Sequence, residues 1–273
     1  SGIVRKAATY AAGVLTVTGN GELPAGSIFA TADGTSYETL QTVQVQASAD
    51  VAAQAVVAGD SGNTAAGTIT EIPMSIPGIN GVTNQVAFTD GYDEEEDEAL
   101  LERYLVHVRT PGTSGNVYHY LEWALSVEGV GGAKVVPTWD GPTTVKVIIV
   151  DSNYEAASDV LVEKCFEYIE SVRPTGAVVT VVSATPKSVD ISIGAVEGEL
   201  DREAFTDAVK AYFIDLEKRN ISGSSSLYVS LAKIGSLVLS VGGADDYSGL
   251  TLNGDTENIP LAAEEIAVIG TVT

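Results

Sequence analysis

Few residues in this chain have the types needed for chemistry, and their spacing argues against most of it. The two histidines, His107 and His119, fall on separate predicted helices. They lie outside the HExxH spacing by which one helix offers two imidazoles to zinc. Cys165, the single cysteine, sits in a helical pattern with no histidine near it in sequence, so it reads as a small buried hydrophobe, and no intrachain disulfide is possible. Gly129-Val130-Gly131-Gly132 resembles a phosphate loop but follows a predicted helix and precedes a strand. Phosphate loops need the reverse order to aim amide groups at the anion, so this run reads as a helix C-cap and turn. Gly112-Thr113-Ser114-Gly115 lacks the G-x-S-x-G spacing of a nucleophile elbow. The consecutive acids Asp93, Glu94, Glu95, Glu96, Asp97 and Glu98 could attract calcium. They lack the alternation and the glycine of an EF-hand loop, and neighbours on a helix point in different directions. They read as the solvated start of a helix, where negative charge suits the dipole. A carboxylate pair meeting only in space would not show in chain order, and nothing in the spacing indicates one. No catalytic, cofactor-binding or metal-binding residue is assigned. The aromatic cluster Tyr118, Tyr120 and Trp123 is the candidate partner interface, since such residues anchor protein contacts, with core packing as the other reading.

The elements that must position these residues change character along the chain. Residues 13–88 show β-like alternation, as in Val14-Leu15-Thr16-Val17-Thr18 and Thr42-Val43-Gln44-Val45-Gln46, separated by turns such as Gly19-Asn20-Gly21 and Asp33-Gly34. Pro73, Pro77 and Gly78 break this pattern and read as an extended connector. From Asp93 the period becomes helical, with Leu101, Tyr104, Leu105 and Val108 on one stripe. Pro111 and Gly112 stop that helix, and Thr113 or Ser114 can cap the next. Strands are expected at 133–138 and 143–150, around the turn Trp139-Asp140-Gly141-Pro142. A helix carrying Leu161, Cys165 and Ile169 ends before Pro174, and strands follow at 177–182 and 189–196. Asp201 caps a helix carrying Phe205, Val209, Tyr212 and Leu216, and another helix uses Leu227, Leu231, Ile234 and Val238. Two last strands are expected near 249–252 and 265–271. The fold class is α+β: an amino-terminal antiparallel β module (1–90), a helical junction (91–130), then mixed α+β modules (131–185, ββαβ-like, and 186–273). Candidate hinges, from proline and glycine density, are Pro73, Pro77, Gly78, Gly91, Pro111 and Gly112.

Charge narrows the partners. The 273 residues carry a formal net charge of −23, and no Lys, Arg or His stands between Lys6 and Arg103. Phosphate backbones and anionic membranes are bound through clustered Lys and Arg, so neither nucleic acid nor a membrane surface is an expected partner. No run approaches the roughly 18 apolar residues that span a bilayer.

Three phrases then fall in order. The first is Leu23-Pro24-Ala25-Gly26-Ser27-Ile28-Phe29 followed by Asp33-Gly34-Thr35-Ser36-Tyr37-Glu38-Thr39. The second joins Gly62-Asn63 and Gly81-Val82-Thr83-Asn84 to Gly91-Tyr92-Asp93-Glu94-Glu95 and Arg103. The third is Gly115-Asn116 with Tyr120, then Val127-Glu128-Gly129-Val130 and Val135-Val136-Pro137-Thr138-Trp139-Asp140-Gly141. Together they resemble the baseplate J-like family, wedge proteins of contractile phage tails and related injection machines, over nearly the whole chain. The resemblance implies a structural, non-enzymatic virion protein of the tail baseplate, assembled in the bacterial host cytoplasm, without cofactors. It implies contacts with other wedge proteins and with further copies of itself, in a ring around the tail tube. Members usually carry an additional helical amino-terminal segment, so weak or no self-association is expected of this form. The rival readings are a secreted or surface adhesin-like β-rich binding module and a hydrolase with an acidic pair.

Overall fold

A computed structural model describes residues 3–109, 115–221 and 227–273. The chain divides into two compact units, residues 1–111 and 112–273.

The first unit is an antiparallel sheet of six strands: β1 (Ala12–Leu23), β2 (Ile28–Thr31), β3 (Ser36–Thr39), β4 (Val43–Ala55), β5 (Ile69–Glu71) and β6 (Ile79–Thr83). The strand order β5-β2-β3-β4-β1-β6 leaves β5 and β6 at the two edges of a nearly closed barrel. Alternation in β1 and β4 sends Leu15, Val17, Val45 and Val51 inward, where they meet Phe29, Tyr37, Ile69 and Phe88. The seam is closed by Asn84, which is fully buried. Its side-chain oxygen accepts from the Ile69 N–H at 3.0 Å, and its amide donates to the carbonyls of Ala65 (2.8 Å) and Val86 (2.9 Å). Its own carbonyl accepts from the Gly67 N–H at 2.7 Å. One side chain therefore satisfies backbone groups that an open edge would leave unpaired.

Helix α1 (Asp97–Arg109) ends the unit, and its start corrects the sequence expectation. Asp93, Glu94, Glu95 and Glu96 precede the helix, and only Asp97 and Glu98 lie in its first turn. The apolar stripe is exposed at Leu101 (55%), Tyr104 (40%) and Val108 (54%).

In the second unit, α2 (Val117–Ser126) packs on β7 (Val130–Pro137), which pairs antiparallel with β8 (Thr144–Asp151). Helix α3 (Asp159–Val172) then crosses to β9 (Val178–Ser183), which is parallel to β8. The Ser158 hydroxyl caps α3 by accepting from the Leu161 N–H at 3.1 Å, and Pro174 follows its end. After the single residue Ala184 the chain continues as β10 (Thr185–Ser192), already in another sheet. Next come β11 (Ala195–Glu197), α4 (Arg202–Ile221), β12 (Tyr228–Val229), α5 (Leu231–Ser240), β13 (Asp246–Ser248), β14 (Thr251–Leu252), β15 (Ile259–Pro260) and β16 (Glu265–Val272). Strand β10 lies between β14 and parallel β16, over a core of Phe205, Val209, Ile234 and Val238. Asp201 caps α4 as expected, accepting from the Ala204 N–H at 3.0 Å. Leu227 lies before β12 and outside α5, which is capped by Ser230, because a short strand interrupts the helical spacing there.

Of the four sheets in this unit, the two three-stranded ones, β7-β8-β9 and β14-β10-β16, share a core. Ile148 and Val150 of β8, Ala184, and Ile266 of β16 share one cluster. Three lysines bind the stretch from β15 to the start of β16: Lys134 reaches the Ala263 carbonyl (3.4 Å), Lys146 the Glu264 carboxylate (2.9 Å), and Lys187 the Glu265 carboxylate (2.9 Å) and the Pro260 carbonyl (2.8 Å).

Candidate interface and the acidic junction

The aromatic cluster separates by environment. The Asn116 side chain caps α2, accepting from the His119 N–H at 2.9 Å. This fixes the phase at which α2 presents its side chains. Tyr118 points outward, 48% exposed. Tyr120 is 2% exposed and burial pushes its hydroxyl pKa up, so it is a core residue that cannot meet a partner; a helix whose inner face is i, i+4, i+5 puts it beside Ala124 and Leu125. Trp123 is half-buried, stacked on His119 (4.0 Å between centroids, 30°) and edge-on to Tyr120 (5.0 Å, 82°). Tyr118 and the outer part of Trp123 are what remains of the proposed surface. His119 is occupied here: its Nδ1 accepts from the Gly115 N–H at 3.3 Å.

The acid run is divided among different partners. Asp93 accepts from the Asp60 N–H at 3.1 Å. Arg5 pairs with Asp97 and, at 3.7 Å, with Glu94. Glu95 is the inward member, with a side chain 7% exposed facing Arg103, 13% exposed. Arg103 donates to both its oxygens (2.7 and 2.8 Å), and the Lys6 N–H adds a third bond at 3.1 Å. Burial alone would raise the Glu95 pKa, but the Arg103 guanidinium and the Lys6 amide outweigh it and hold the carboxyl below its ordinary value. Arg103 also reaches the Val4 carbonyl (2.8 Å), and Arg5 the Glu95 carbonyl (2.6 Å). Glu95 is thus a clasp between the amino-terminal segment and α1, where a solvated helix start was expected. No group of three or more His, Cys, Asp or Glu among the described residues is arranged to hold a metal.

The hinge candidates are also placed. Pro73 and Pro77 are exposed in the connector before β6. Gly78, at φ +81°, offers its carbonyl to the Asn20 N–H at 2.7 Å and lies flat against β1. Gly91 is buried between two hydrogen bonds with the Asn63 side-chain amide (2.8 and 3.0 Å), and a Cβ there would press into the Gly59 carbonyl oxygen. Such packing fixes the backbone at both glycines. Pro111 and Gly112 lie outside the described residues, as do Thr113 and Ser114, the expected caps of α2; the cap observed is Asn116.

The recurring phrases of the sequence mark structural devices. The Thr39 hydroxyl donates to the Pro24 carbonyl (2.9 Å) and accepts from the Ser27 N–H (3.0 Å), binding the Pro24-Ala25-Gly26-Ser27 turn to the end of β3. The Tyr37 hydroxyl donates to the Gly62 carbonyl (2.9 Å), and its ring meets Phe88 edge-on at 5.0 Å. Asn84 and the Glu95–Arg103 pair belong to the second phrase.

Family models match residues 14–91 (Baseplate J-like protein barrel domain), 112–183 (Baseplate J-like central domain) and 188–273 (Baseplate J-like protein C-terminal domain). The Phage-like element PBSX protein XkdT of Bacillus subtilis is 32% identical over 290 residues, covering 100% of this chain and 78% of that protein. Baseplate protein gp47 of Escherichia phage Mu is 32% identical over 236 residues, covering 78% of this chain and 64% of that protein. A chain in the solved baseplate of an anti-feeding prophage aligns over 98% of this chain and 78% of its own length, at 10% identity and a TM-score of 0.44. The identity to relatives spanning the whole chain, and the three consecutive domain matches, place this chain in the Baseplate J-like family.

Proposed function

We propose that this protein links wedge proteins into a ring around the tube of a contractile tail. The coarser statement follows from the family: the chain is a structural, non-enzymatic component of a phage-type tail baseplate. The observation that carries the finer reading is the succession of three family domains on one chain. Several small folded modules in series suit a protein that meets several neighbours at once.

Its partners on this reading are other baseplate wedge proteins and further copies of itself, met during assembly in the host cytoplasm. Self-association of the isolated chain is weak, because ring contacts are shared among many partners. Tyr118 with the outer edge of Trp123 forms one contact surface. Within the second unit, residues 131–185 and 186–273 act as one body, joined through Ala184 and the lysine-bound loop.

The test is a tail-producing genome with its own copy deleted and a tagged copy supplied in trans. Electron microscopy of labelled tails should place the tag at the baseplate, in a ring. Tails that form normally without the protein, or a label along the sheath, would sink this reading.

A further inference from the structure

We infer that the tip of the β7–β8 hairpin is a preformed docking finger, whose Trp139 inserts into an apolar pocket on a different baseplate protein. The inference rests on the baseplate reading above. The tip, residues 138–143, is exposed throughout. Thr138 (φ 55°) and Thr143 (φ 68°) both hold left-handed backbone, which β-branched residues adopt only where the surroundings impose it. The surroundings here are a dense set of bonds. The Thr138 N–H donates to the Thr144 carbonyl (2.7 Å), the Asp140 N–H to the Thr144 hydroxyl (3.1 Å), and that hydroxyl to the Gly141 carbonyl (2.7 Å).

The indole of Trp139 stays 41% exposed at this tip. It is supported from one side by the Lys146 ammonium, 4.0 Å from the ring centroid. Lys146 is itself held by Glu264 at 2.9 Å. A large aromatic whose backbone and underside are both fixed loses little freedom on binding, and tryptophan leads the residue types that dominate interfaces. The exposed Asp140 beside it calls for a basic side chain on the pocket rim. That is a partner of complementary charge, which a second copy of a chain with net charge −23 supplies poorly.

The experiment supplies wild type, Trp139→Ala, Trp139→Tyr and the double change Thr138→Gly with Thr143→Gly in trans to the deleted genome, and quantifies each in purified tails by mass spectrometry. Thermal melting of each purified full chain runs in parallel. Trp139→Ala should enter tails roughly thirtyfold less, or worse, the loss expected of a hot-spot residue. Its melting should be unchanged, and Trp139→Tyr should restore part of the loss. The double glycine variant should melt no lower than wild type yet enter tails less, because it frees the tip. Trp139→Ala entering tails as wild type does, or losing incorporation only in proportion to a lowered melting point, would overturn the finger. So would self-association that Trp139→Ala abolishes, which would make the occupant a second copy. Absence of the wild-type chain from tails would overturn the baseplate reading, and this proposal with it.

Discussion

Replacing Asn84 with alanine should unlatch the seam of the amino-terminal barrel. Three side-chain hydrogen bonds vanish, those to Ile69 N–H, Ala65 carbonyl and Val86 carbonyl. At about 1 kcal/mol net each, the loss is about 3 kcal/mol. The Ile69 N–H belongs to a fully buried residue, and stranding it adds on the order of 1 kcal/mol more. Differential scanning calorimetry of the full chain follows the transition in which the first unit unfolds. A loss of this size should lower its midpoint by roughly 10–20 °C at the usual ratio for a domain near this size. Asn84→Asp is the sharper variant. It keeps the shape but at neutral pH turns an oxygen toward two carbonyls, so it should cost at least as much as alanine. Acid should return part of that loss, because one proton restores one donor. A midpoint shift below about 4 °C for Asn84→Ala would refute the claim that this side chain closes the barrel.

Three further outcomes are expected. Glu95→Gln should destabilise the first unit by about 2 kcal/mol, since it leaves Arg103 facing a neutral partner in a site that excludes most water. The Glu95 carboxyl is depressed in the folded state, so its contribution is complete above its unfolded pKa of about 4.3 and is lost as pH falls through the lower folded value. Urea titrations from pH 7 to pH 3 should therefore bring wild type and Glu95→Gln together in acid, and parallel curves would rule out the clasp. Asn116→Ala should cost about 1 kcal/mol through loss of the α2 cap, read as a lower denaturation midpoint of the second unit; no change would show that the cap is dispensable. Gly91→Ala forces a methyl toward the Gly59 carbonyl and should cost about 2 kcal/mol or more, and a stability equal to wild type would restore Gly91 as a freely moving position.

Much of the architecture was legible because it is written in short-range terms. Helix periods, the Asp201 cap and the stop before Pro174 depend on residues a few positions apart, so α3 and α4 fell where the pattern put them. Strand alternation showed the β character of the first unit for the same reason. The spacing of the histidines and acids sufficed to argue against familiar metal motifs. The recurring phrases pointed to the family through residues such as Thr39 and Tyr37, whose roles the structure explains.

The tertiary structure decided whatever depends on which distant segments meet. Glu95 looked like any member of an acid run until Arg103, Arg5 and Lys6 gathered around it. Asn84 was only the end of a phrase in the sequence until it lay between the two edges of the sheet. Leu101, Tyr104 and Val108 share a stripe, yet a stripe states only that one side differs from the other, and here it is the open side. Tyr118 and Tyr120 are two positions apart, and a turn of 100° per residue sends one to solvent and one to the core. Trp139 resembles an ordinary hairpin residue in sequence. Only the folded sheet places Lys146 beneath its ring and Glu264 behind Lys146, because strand register and the loop before β16 bring together residues more than a hundred positions apart.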